Sequence, residues 1–124
     1  MTVGKPAPRA VPALDPLPAR PSPNQAIGRE IAAQHGWEGK EWRCALTLFA
    51  HESRWDNFAQ NPTSTAFGIG QFLNQTWKGY GPKTTDARLQ VTYAMAYVAD
   101  RYGTPCRAWA KWNERKRRTG NAWY

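Results

Sequence analysis

Glu52 is a carboxylate within a stripe of residues that is otherwise mostly apolar. Residues 42–53 contain no proline or glycine, so they can form a helix. At about 100° per residue, Trp42, Cys44, Ala45, Leu46, Leu48, Phe49, Glu52 and Ser53 fall on one broad arc. Arg43, Thr47, Ala50 and His51 fall on the other. The apolar arc is the face a helix turns to a core. A carboxyl group placed there keeps its proton toward neutral pH, because desolvation disfavours the charged form. That is what a general acid needs to protonate a leaving group, and it points to chemistry on a substrate such as a sugar. The plainer alternative is a glutamate at a core edge, salt-bridged to a neighbour. Further on, the turn Gly68-Ile69-Gly70-Gln71 supplies a glutamine expected to face Glu52.

The other reactive residues carry less. Asp56 is four positions past Glu52, with a turn expected between them, and its expected role is to stabilise that turn. His35 and His51 lack metal-ligand spacing, and Cys44 and Cys106 are too few for a structural zinc site. No metal or cofactor is expected. From the residues alone, the two cysteines are either buried thiols or one disulfide between two helices.

Several elements must position these groups. A helix capped by Asn24 is expected to carry Ile27 and Ile31 and to end at Gly36. The second covers residues 40–53 and holds Glu52 in its last turn. A polar loop over 54–66 leads into the compact segment 67–72, followed by a short helix over 74–78. A longer helix over 86–102, with Leu89, Tyr93, Ala94, Tyr97 and Val98 on adjoining turns, stops at Gly103. Thr104 and Pro105 then open a last helix carrying Cys106, Trp109, Ala110, Trp112 and Asn113. No alternating strand pattern of useful length is present, so the fold class is mainly α. Residues 1–23 hold seven of the ten prolines and no aromatic residue. They read as an extended, polyproline-like tether or docking arm ahead of a single domain over 24–124.

Composition narrows the partners. All seven Trp, five Tyr and four Phe lie after residue 36, as suits a compact core or a groove where rings stack on sugars or bases. No stretch is long and apolar enough to span a membrane. Prolines interrupt any signal-peptide core at the N-terminus. The net charge is +8, half of it from Arg115, Lys116, Arg117 and Arg118. Such a run is either a solvated helix end or an attraction for a polyanion.

Taken in order, His51-Glu52-Ser53-Arg54-Trp55, Asn61-Pro62-Thr63, Phe67-Gly68-Ile69-Gly70-Gln71-Phe72 and Thr76-Trp77 resemble the soluble lytic transglycosylase family, related to goose-type lysozyme. The stretch from Tyr97 through Arg101-Tyr102-Gly103-Thr104-Pro105-Cys106 to Trp123-Tyr124 resembles its actinobacterial and actinophage branch. The resemblance covers about residues 37–124. It implies a lysozyme-like fold and cleavage of the β-1,4 bond from N-acetylmuramic acid to N-acetylglucosamine. Glu52 matches the family's single catalytic acid, and Ser53 the residue that supports the substrate or the acid. Phe67, Gly68, Ile69 and Gln71 match the segment lining the sugar groove, and Tyr97 a tyrosine opposite the acid. Trp112 and Asn113 fall where many members have Tyr-Asn, although the flanking Lys111 and Glu114 depart from the usual small residues. Cys44 and Cys106 match positions in the resembling branch, which implies a disulfide between them.

With one carboxylate, the expected route is substrate-assisted. Glu52 protonates the glycosidic oxygen, then takes the proton of the muramic acid 6-hydroxyl as a 1,6-anhydro ring closes. Attack by water instead would make a muramidase. The expected partner is a peptidoglycan glycan strand. The expected setting is a phage virion or the cell wall, with residues 1–23 anchoring the chain to a phage structural protein. Nucleic acid is not an expected partner, since no nucleic-acid-binding motif is present. The reading from a different class is a non-catalytic module that grips glycan or nucleic acid.

Overall fold

The computed structural model describes residues 11–124. The part of the proposed arm that precedes Val11 lies outside the described residues. The rest is mainly helical, as expected: α1 Pro23–Gln34, α2 Lys40–Ser53, α3 Asn74–Lys78, α4 Ala87–Tyr102 and α5 Pro105–Thr119. Among the described residues the only β-pairing consists of isolated bridges, Gln60 with Phe67 and Phe67 with Phe72.

Three of these helices, α1, α4 and α5, begin where a side chain satisfies a free amide. Ser22 caps α1 rather than Asn24: its side chain accepts from Gln25 N, the Gln25 side chain accepts from Ser22 N, and Pro23 takes the first helical position. Asn24 instead donates to Trp55 O at 2.8 Å and to Asn57 Oδ1 at 3.1 Å, which clips α1 to the loop after α2. Asp86 caps α4 and Thr104 caps α5.

Helix α2 is central and packs against α1 and α5, while α4 also packs against both. Leu48 and Phe49 of α2, Val91, Met95 and Val98 of α4, and Ile69 between them are buried at the core. Cys44 and Cys106 form a disulfide joining α2 to α5 across 62 residues of sequence, with Cα atoms 5.0 Å apart. Beside it, Glu41 accepts a hydrogen bond from Cys106 N at 2.9 Å. The buried face of α4 is rotated from the expected one: Leu89 is exposed and Gln90 is buried. The reason is a polar network at Gln90 that apolar periodicity does not register.

Residues 11–15 are docked on this same domain. Val11 and Leu14 pack on the core, and Trp109 Nε1 donates to Pro12 O at 3.2 Å. Asp15 N donates to Thr47 Oγ1 at 3.1 Å, and Arg43 donates to Asp15 O. Thr47, placed by its arc on the outer side of α2, is therefore fully buried. Both faces of α2 are covered, one by the core and one by the segment that leads into α1.

Candidate active site

The site forms where α2 stops. Arg54 and Trp55, with φ of 53° and 57°, both adopt the left-handed conformation, which is costly for residues other than glycine. Their amides close the helix by donating to Ala50 O and Phe49 O. The Trp55 ring is buried and its Nε1 donates to Leu46 O at 3.0 Å, so packing holds the reversal. The abrupt end leaves His51 and Glu52 in the last turn, on the walls of two clefts.

Glu52 is half-buried there. Trp112 Nε1 of α5 donates to its Oε1 at 2.9 Å. Desolvation pushes the Glu52 carboxyl up to about 7, and the indole N–H holds the rise back. Trp112 is itself stacked on Trp109 with centroids 5.1 Å apart, and the His51 ring meets its edge. Among the described residues, the side-chain hydrogen-bond partner of Glu52 is thus a neutral donor, which separates it from a salt-bridged core-edge glutamate.

Two clefts meet at this residue. One, of about 500 Å³, is lined by Glu52 with Gln71, Tyr97, Arg101, Trp112, Trp123 and Tyr124, among others. The second, of about 520 Å³, runs over the end of α2 and is lined by Asp15, Ala50, His51, Glu52, Ser53 and Arg54. Asp15 Oδ1 lies 3.2 Å from His51 Nε2 at its edge.

Of the expected site residues, Glu52, Gln71, Tyr97 and Trp112 line one cleft. Gln71 shares the cleft with Glu52, but its amide is engaged elsewhere. It adopts a positive φ of 51° and its amide donates to Gly68 O and Ala59 O, fastening its own turn. Tyr97 donates to the main-chain oxygen of Tyr124 at 3.3 Å. Ser53 is buried: its Oγ lies 2.7 Å from Ile69 O and 3.2 Å from Phe49 O. It ties the acid-bearing helix to the glycine turn rather than presenting its hydroxyl to the first cleft.

Phe67, Gly68, Ile69 and Asn113 do not line that cleft. Ile69 is fully buried. A Cβ at Gly68 would come within 2.7 Å of the Gln90 amide. Phe67 pairs with Phe72 behind the turn, with Lys83 over its ring. Asn113 donates to Trp109 O, one turn back in its own helix. Asp56 accepts from Phe58 N at 2.8 Å and so closes the turn that follows it rather than the one between it and Glu52.

Three participants escaped the sequence reading. Gln90 accepts from Ile69 N and donates to Asn57 O and Thr84 O, fixing the glycine turn from behind. Arg101 lines the cleft beside Tyr97. Tyr124 packs edge-on against Phe49 and Tyr97, and its buried hydroxyl has no hydrogen-bond partner among the described residues. Burial, followed by the Glu52 charge, pushes that phenol well above its ordinary range. Only the Tyr97–Arg101 spacing of one helical turn could have signalled any of these.

Among the described residues, no group of three or more His, Cys, Asp or Glu side chains is arranged to hold a metal ion, and no helix is long and apolar enough to cross a membrane. The chain matches no family model, no curated protein and no solved structure.

Proposed function

We propose that this chain is a lysozyme-like glycosidase that cleaves peptidoglycan glycan strands as a lytic transglycosylase, with Glu52 as its acid. The observation that carries the reading is the state and place of Glu52. It favours its proton up to about pH 7, and it stands where two clefts join. A polymer threaded through both would run to either side of the carboxyl, as cleavage within a strand requires. Glu52 would protonate the glycosidic oxygen, and its carboxylate would then accept the 6-hydroxyl proton as the 1,6-anhydro ring closes. The Trp112 indole N–H stabilises the ionised form between the two transfers. The Ser53 link and the Gln90 amide hold the opposite wall at a fixed distance from the acid.

Hydrolysis by a muramidase is the second reading, and one observation favours it. Asp15 is a second carboxylate, lining the cleft on the far side of Glu52. Inverting and retaining glycosidases use such a pair. Asp15 is turned toward His51, which weakens this reading relative to the first.

A virion or cell-wall setting remains part of the proposal. With residues 11–15 held on the domain itself, anchoring to a phage structural protein would fall to the residues before Val11.

Incubation with purified peptidoglycan, followed by mass spectrometry, tests the proposal. The expected products carry 1,6-anhydro ends, and Glu52→Gln lowers the rate at least about a hundredfold. Reducing ends would establish the muramidase. Intact glycan would overturn both and leave a binding module.

A further inference from the structure

Acid catalysis leaves one charged group of the first cleft unused. Arg101, in the last turn of α4, is exposed and lines the cleft that holds Glu52. Its guanidinium carbon lies 5.8 Å from the ring centroids of both Tyr97 and Tyr102. Two aromatic faces therefore hold the cation in place, a contact arginine favours. Among the described residues, no carboxylate forms an ion pair with it. The described ion pairs join other residues, and the adjacent Asp100 accepts from the Tyr80 hydroxyl. A guanidinium presents its donors in a fork that matches a carboxylate. It is pre-ordered here, in a cleft also lined by neutral residues such as Gln71 and Thr76.

We propose that Arg101 is a specificity-determining residue that binds a carboxylate carried by the glycan strand. This rests on the glycosidase reading and names what the cleft selects. Peptidoglycan offers carboxylates from two sources. One is the lactyl group of a muramic acid stripped of its peptide. The other is the peptide stem, attached through that lactyl group as an amide. A neutral polymer of N-acetylglucosamine has neither, and would lose the contact.

The test titrates the full chain with three ligands, following the fluorescence of the cleft tryptophans. The ligands are N-acetylglucosamine, N-acetylmuramic acid and muramyl dipeptide. At least one carboxylate-bearing ligand is expected to bind about tenfold tighter than N-acetylglucosamine, the usual scale of a charge-assisted hydrogen bond. Arg101→Gln is expected to erase that preference and leave N-acetylglucosamine affinity unchanged. In peptidoglycan cleavage, the same variant should raise KM and spare kcat. Preference for N-acetylmuramic acid identifies the lactyl group, and preference for muramyl dipeptide identifies the stem. Equal binding of all three, or a preference that survives Arg101→Gln, overturns this proposal alone. No binding of any of them overturns the glycan reading as well.

Discussion

A carboxyl group raised to about 7 has consequences for both activity and stability. The proposed cleavage needs the protonated form, so its rate should fall as pH rises past neutrality. The stability effect follows from linkage. Below about 4.5, the ordinary value of the group, Glu52 is neutral whether the chain is folded or not. As pH climbs from there to about 7, the folded chain keeps a proton that the unfolded chain has released, and stability declines. Above that range both states are ionised and the loss levels off. Glutamine cannot ionise and can still accept from Trp112 Nε1. Glu52→Gln should therefore match the parent near pH 4 and exceed it at pH 8, by on the order of 2 kcal/mol after allowance for partial exposure. Thermal denaturation across that range measures the difference. An equal gap at every pH would mean that desolvation does not govern this group.

At the level of elements, the pairing of α2 with α5 decides whether Trp112 reaches Glu52. The disulfide at one end of that pair and the docked residues 11–15 along its side both fix the register. A bridge that closes so long a loop stabilises by constraining the unfolded chain, typically by 2–4 kcal/mol. The double variant Cys44→Ala, Cys106→Ala should lose about that much in urea denaturation, and an unchanged midpoint would contradict it. Much of this architecture was legible beforehand. The bounds of α2 and α3 followed from proline and glycine positions, and Thr104-Pro105 marked the start of α5, because such local signals act within one turn of chain. The partner of Glu52 was not legible. Trp112 is 60 residues away, and only tertiary packing brings its indole N–H to the carboxyl. The same limit explains Thr47. Its burial depends on a proline-rich segment whose composition signals extension but not destination. Gln90 was missed because a polar side chain on a mainly apolar face reads as noise, when its three hydrogen bonds in fact hold the glycine turn.

Across the whole molecule, the net charge of +8 acts at longer range than any of these contacts. The basic run at the end of α5 is not uniform. Arg115 turns inward, donating to the Tyr102 hydroxyl and Trp123 O and lying 4.9 Å from the centroid of the Trp123 ring. It braces the wall of the cleft. Lys116, Arg117 and Arg118 remain exposed beyond it, where they also complement the negative end of the helix dipole. Exposed cations of this kind raise the local concentration of a polyanion, and salt screens them over about 8 Å at physiological ionic strength. If the substrate is an anionic wall, cleavage of whole walls should slow several-fold between 50 and 300 mM salt, roughly the range in which such steering is lost. Replacing Arg117 and Arg118 with glutamine should lower the low-salt rate toward the high-salt one and flatten that dependence. Cleavage of short soluble glycan fragments, which meet the cleft without traversing a charged matrix, should respond much less. Turbidity loss of wall suspensions and product release from fragments, measured side by side, separate long-range capture by the basic surface from recognition inside the cleft. A salt response of equal size on both substrates would assign the whole effect to the clefts, where Arg101 lines the first and Arg54 the second.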